Sequence, residues 1–137
     1  MEAIMSQTYD FLKECGTFFV VTVNGNAPAA RPFGAVMELD GALYLSTANT
    51  KDVYAQLTKN GQIQIVAMKA GTRDWIRIDG RAIEVYDVNV KQVMLDACPA
   101  LNNHFESKDC AHFALFKVVE MEASLYTNNG VVKLDPL

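Results

Sequence analysis

The sequence predicts a mainly β, α+β fold: an antiparallel barrel, closed or nearly so, with short helices inserted between its strands. Three observations predict it. Roughly six stretches rich in β-branched and aromatic residues are separated by Gly, Asn and Asp turns. The helical spacings between them are too few for a bundle and do not alternate with strands as a βαβ series would. A barrel also removes the exposed edges that a flat antiparallel sheet would leave, although an OB-like barrel fits the same periodicities almost as well.

Each element follows in order. Residues 3–14 place Ile4, Tyr9, Phe11 and Leu12, with Cys15 beyond, at spacings that one side of a helix can bury, and Gly16 is a stop. Phe18-Phe19-Val20-Val21-Thr22-Val23 is a first strand, and Asn24-Gly25-Asn26 is turn chemistry that accepts positive φ. Residues 31–39 form a second strand, Asp40-Gly41 a second turn and Leu43-Tyr44-Leu45-Ser46 a third strand, so three strands arrive as an antiparallel meander. A short helix fits 52–59, with Val53, Tyr54 and Leu57 on one face and Asn60-Gly61 closing it. Strands resume over 62–68, break at Gly71-Thr72 and continue over 75–85, where close alternation surrounds Gly80. A glycine inside such a strand predicts a bulge or barrel corner. Residues 88–97 return to helical spacing and stop before Pro99, and a last strand runs over about 112–126.

One domain over residues 1–137 is expected, since a chain of that length with 50% hydrophobic residues can bury a single core. The formal net charge of -4, from 12 basic and 16 acidic residues mixed along the chain, gives no field to attract nucleic acid or an anionic membrane. No apolar run approaches the ~20 residues of a membrane helix, and residues 1–10 are unlike a signal peptide, so a soluble, cytoplasmic protein is expected. Cys15, Cys98 and Cys110 form no C-x-x-C pair and read as buried free thiols. His104 and His112 stand at i and i+8, which suits no metal-binding helix, so each is expected to be structural or surface and no metal site is expected.

Chemistry points to Ser46-Thr47-Ala48-Asn49-Thr50-Lys51-Asp52, where a strand ends and a helix begins. Free N–H groups at a helix start favour an anion, hydroxyl and amide groups cluster there, and Lys51 adds positive charge where the helix dipole does not favour it. The competing reading makes Asn49 or Thr50 a plain helix cap and leaves Lys51 solvated. In Ala30-Arg31-Pro32-Phe33-Gly34-Ala35-Val36, Arg31 can hold a phosphate through paired hydrogen bonds or make a surface ion pair. Pro32 belongs at an edge or a strand start, and Gly34 lets another group approach the backbone. Trp75, the single tryptophan, packs in the core or stacks beside a planar ring. There is no Ser/His/Asp or Cys/His nucleophile pattern, glycine-rich nucleotide loop or paired-carboxylate site, so any chemistry would come from a bound cofactor.

Taken in order, three stretches carry a family resemblance: Gly25-Asn26-Ala27-Pro28-Ala29-Ala30-Arg31-Pro32-Phe33; Leu43-Tyr44-Leu45-Ser46-Thr47 with Lys51 and Leu57-Thr58-Lys59-Asn60; and Trp75-Ile76-Arg77-Ile78-Asp79-Gly80-Arg81-Ala82. Together they resemble the pyridoxamine 5′-phosphate oxidase-like superfamily of FMN-binding split barrels, especially its short members related to nitroimidazole-resistance reductases. The resemblance runs from Phe11 to Tyr126. It implies an FMN-binding split β-barrel acting as a homodimer, with two FMN molecules in interface grooves touched by both chains. It places Arg31 at the phosphate and the strand it begins, with Pro32, Phe33 and Gly34, beside the isoalloxazine. Ser46 and Thr47 match the position that contacts the phosphate or ribityl chain, and Lys51 matches the basic residue at the following helix start, where Asn49 and Thr50 also stand. Trp75 falls where the vitamin-processing oxidases have a glutamine near the flavin.

The resemblance further implies an oxidoreductase passing reducing equivalents from a nicotinamide cofactor or another donor to a small-molecule acceptor. A flavin carrier or sensor without turnover, or the same fold binding haem or a deazaflavin, is the alternative. The sequence also departs from the vitamin-processing oxidases, which have a pair of basic residues where this chain has Lys51 and a C-terminal extension with a histidine-containing motif. Pyridoxamine phosphate oxidation is therefore not expected. Tyr44, Tyr54 and His104 are the groups that could approach a flavin, and none is assigned a catalytic role.

Overall fold

Turn chemistry and alternation produce the strands directly. A computed structural model describes residues 6–134. Helix α1 (Gln7–Cys15) starts at Ser6, whose hydroxyl accepts from the Tyr9 amide, and ends at Gly16. The sequence expectation began this helix at residue 3; residues 1–5 lie outside the described residues. β1 (Phe18–Asn24) and β2 (Ala27–Phe33) pair as a hairpin whose turn has Gly25 at φ 65°. β3 (Met37–Leu39) and β4 (Ala42–Ala48) pair around Asp40 and Gly41, at φ 50° and 80°. Next come α2 (Asp52–Lys59), β5 (Gln62–Met68), β6 (Trp75–Val85) and α3 (Val88–Ala97). A short 3-10 helix, Pro99–Asn103, leads on to β7 (Phe113–Thr127) and β8 (Gly130–Leu134).

The expected strand over 31–39 is two strands, the first of which starts at Ala27 rather than Arg31 because it pairs along the whole of β1, and the expected meander does not form. Hydrogen bonding runs β2-β1-β5-β6-β7-β4-β3, with β8 on β7, all antiparallel. β2 and β3 are thus the two ends of a sheet that does not close, and residues 34–36 carry the chain across the split. Gly34 begins that link. This is an α+β split barrel, open where a closed one was also considered.

Gly80 makes the expected bulge, with the β6–β7 register shifting between Asp79 and Arg81. A Cβ there would lie 2.8 Å from Val118 Cγ1 and 3.0 Å from the Val119 carbonyl oxygen, so the close approach of β7 requires glycine.

β4 divides the core because alternate side chains leave opposite faces of a strand. Leu43 and Leu45 enter the barrel interior with Val20, Ile65 and Ile78, whereas Tyr44 faces a second cluster with Met94, Phe105 and Phe113. Both faces of β4 are therefore covered, and its six residues from Ala42 to Thr47 are all buried. The cysteines are partly buried rather than fully so.

Candidate functional site

The end of β4, the start of α2 and the crossing link at 34–36 enclose a groove of about 710 Å³. β2 and the link contribute Arg31, Pro32, Phe33 and Gly34; β4 and the start of α2 contribute Ser46, Thr47 and Lys51. Seven of the ten residues expected at a cofactor site are thereby brought together.

Arg31 faces the same side of the sheet as its register partner Val20. Its guanidinium donates to Thr22 Oγ1 and to Gln56 Oε1, both at 2.7 Å, and at 3.3 Å to the Val20 and Ala29 carbonyls. These acceptors are all neutral, and Arg31 has no ion-pair partner among the described residues. Burial pushes the guanidinium down from its ordinary value, with the Asp52 carboxylate working against it. The result is an oriented cation with no ion-pair partner among the described residues, on which Asp52 acts only through space.

Lys51 is itself the residue preceding α2, extended at φ -91° and ψ 155°, and no side chain caps the helix. The expectation that Asn49 or Thr50 caps it is corrected. The Asn49 side chain donates to the Ala111 carbonyl at 3.1 Å and its amide to the His112 carbonyl at 2.9 Å, which ties it to the approach to β7. Thr50 is exposed, and neither residue lines the groove. Ser46 Oγ does the opposite: it is buried with no hydrogen-bond partner among the described residues.

Trp75 does not line the groove either. Ile76 and Ile78 take the inner face of β6, so Trp75 and Arg77 take the outer one. There the indole stacks on Tyr126 at 4.1 Å and 7°, and Arg77 lies 5.1 Å and 5.5 Å from the two ring centroids. Trp75 is neither a core residue nor, within one chain, a wall of this groove.

Three residues that sequence reasoning left out line the groove, Lys13, Cys98 and His112, beside His104, which it did name as able to approach a flavin. They arrive from α1 and from the segment after α3, far away in sequence, and no local pattern marks them. His112 Nε2 donates to the His104 carbonyl at 3.1 Å. Cys110 Sγ is nearly equidistant from the two His112 ring nitrogens, at 3.2 Å and 3.5 Å. That places the sulfur over the ring rather than along either nitrogen's lone pair, so the two do not form a nucleophile–base pair. No group of three or more metal-ligating side chains is present among the described residues.

Fold and groove together define a split-barrel protein of the α+β class. The chain belongs to the Pyridoxamine 5′-phosphate oxidase family, which it matches over residues 4–123. It is similar to a NimC/NimA family protein from Clostridium acetobutylicum, with 34% identity and a TM-score of 0.89 over 93% of this chain and 89% of that one. It shares its fold with General Stress Protein 26 from Bacillus anthracis (TM-score 0.71, 16% identity, 94% and 92% of the two chains). The same is true of HutZ, a heme storage protein from Vibrio cholerae (TM-score 0.62, 13% identity, 95% and 94%). Among curated proteins none matches. No helix of the described residues is long and apolar enough to cross a membrane.

Proposed function

We propose that this chain binds FMN in the groove and acts, as a homodimer, as an oxidoreductase on a small-molecule acceptor. The observation that carries the reading is the Arg31 guanidinium, oriented and without an ion-pair partner among the described residues, in the same groove as Lys51 and the buried, unpartnered hydroxyl of Ser46. A phosphate dianion satisfies all three: two cations balance its charge, and its oxygens accept from the hydroxyl. Pro32, Phe33 and Gly34 then give the ring system an apolar wall along β2. A Cβ added at Gly34 would meet nothing within 4 Å, so the backbone is open to a ligand there. Bound in this place, FMN would supply one- and two-electron redox chemistry that no side chain of the groove supplies.

The dimer is supported by the outer sheet face. Phe19, Met68 and Val131 are 49%, 59% and 58% exposed and, by register, lie in adjacent rows with Trp75 and Tyr126. An apolar sheet face of this kind fits an interface between copies, and sedimentation should give a dimer at micromolar concentration. Haem is the second reading, favoured by the two imidazoles on the groove wall.

The test is the absorption spectrum of the protein with each cofactor added, followed by titration with FMN and riboflavin. FMN should bind about ten- to a hundred-fold more tightly, because charge-assisted contacts to its phosphate are worth roughly 1.5–3 kcal/mol. Equal affinities for FMN and riboflavin, or a Soret band with no flavin uptake, overturn the reading.

A further inference from the structure

We infer that the groove takes its acceptor as a small monoanion, a carboxylate held by Lys13 at the end of the groove away from Arg31 and Lys51. This rests on the FMN reading for the identity of the first anion. The chain has more acidic residues than basic ones, 16 against 12. Yet the groove is lined by Lys13, Arg31, Lys51 and two histidines, and by no Asp or Glu among the described residues. Asp52, which acts on Arg31 from the first turn of α2, does not line it.

An FMN phosphate balances two of the three permanent cations, and Lys13 is the surplus. Its position is distinct from theirs. The Cys98 thiol lies 3.5 Å from the Val36 carbonyl oxygen, which sets Cys98 against the crossing link. The Lys13 ammonium is near enough to act on that thiol, pulling its titration down against the effect of burial. Arg31 lies in β2, before the link, and Lys13 acts at Cys98 against Val36, after it, so Phe33 and Gly34 stand between the two positions along the chain. Lys13 has no carboxylate partner among the described residues, although its neighbour Glu14 pairs with Lys69 at 2.9 Å. One spare cation matches one negative charge. A nicotinamide dinucleotide brings at least two, on its diphosphate, so Lys13 fits the acceptor better than the donor.

Calorimetry on the full chain, with and without FMN, compares 4-nitrobenzoate with its neutral counterpart 4-nitrobenzamide. The benzoate should bind about ten-fold more tightly, the gain of one charge-assisted contact. Lys13→Ala should remove that preference without changing benzamide binding or FMN affinity, and Lys13→Arg should keep it. Equal binding of the two probes, or a preference that survives Lys13→Ala, overturns the inference while leaving FMN binding intact. If Lys13→Ala weakens a nicotinamide dinucleotide more than 4-nitrobenzoate, Lys13 serves the donor and the inference is wrong. If FMN does not bind but the Lys13-dependent preference persists, the flavin reading fails and the anion site stands.

Discussion

Arg31 and Arg77 occupy strands of the same sheet and end in opposite situations. Arg77 lies against the Trp75 and Tyr126 rings and donates to Tyr126 Oη at 3.2 Å, so its charge is met by π-faces and a hydroxyl of its own chain. Arg31 is anchored just as firmly, but by neutral oxygens and amides, with no ring or carboxylate in contact with its charge. The difference suggests a criterion for telling a cation that can serve a ligand from a structural one. Both are held in place by neutral groups of their own chain, and only Arg31 lies in the groove.

The sharpest way to break the comparison is to truncate each in turn. Arg31→Ala should weaken FMN binding by about ten- to a hundred-fold and leave riboflavin almost unaffected. Arg77→Ala should leave FMN affinity unchanged in fluorescence titration. If both lose equally, the outer face belongs to the cofactor site and the contrast is false. Equal losses of FMN and riboflavin with Arg31→Ala would mean instead that Thr22 and Gln56, deprived of their donor, have let the fold relax.

A smaller effect tests the structural side. Arg77→Ala should lower unfolding free energy by about 0.5–2 kcal/mol, the range of a cation–π contact from exposed to desolvated. Urea denaturation followed by the Trp75 emission measures it directly. No loss would show that the stacked pair holds without its cation.

How far the sequence makes this arrangement legible depends on what each signal encodes. Alternation over 62–68 and 75–85 marks β5 and β6 to the residue, and spacing over 52–59 and 88–97 marks α2 and α3 in the same way. The Gly80 bulge is legible because a lone glycine inside an alternating strand has few other uses. The break between β2 and β3 is not, since no strong turn signal lies between Arg31 and Leu39. The chain divides there because the two pieces join opposite ends of an open sheet, a tertiary fact. β8 carries a readable signal, Asn128-Asn129-Gly130 followed by Val131-Val132, and lies beyond the strands expected from the sequence. In the site, Arg31, Ser46, Thr47 and Lys51 are legible because strand ends and helix starts concentrate donors. Lys13, Cys98 and His112 are not, because only folding brings α1 and the turns after α3 to the groove.

The smallest effect is a pH dependence that belongs to the groove and has no counterpart on the outer face. Burial pushes the Cys98 thiol above its ordinary value, and the Lys13 ammonium pulls it back. A raised thiol means that, above about pH 8.5, the unfolded chain has lost a proton the folded one still holds. The unfolded state then binds fewer protons, so stability falls as pH rises through that range and is unaffected below it. Cys98→Ser should remove this part of the slope, read as the difference between the two urea midpoints from pH 7 to pH 10. The raised Cys15 and Tyr44 groups are common to both proteins and cancel in that difference, whereas Tyr9, raised by burial and also by the Cys98 thiolate, loses part of its shift with Cys98 and adds to the slope removed. Lys13→Ala should steepen the fall, because it removes the charge that favours the thiolate. If Lys13→Ala leaves the slope unchanged, Lys13 does not face Cys98 across the groove, and the surplus cation must be sought elsewhere.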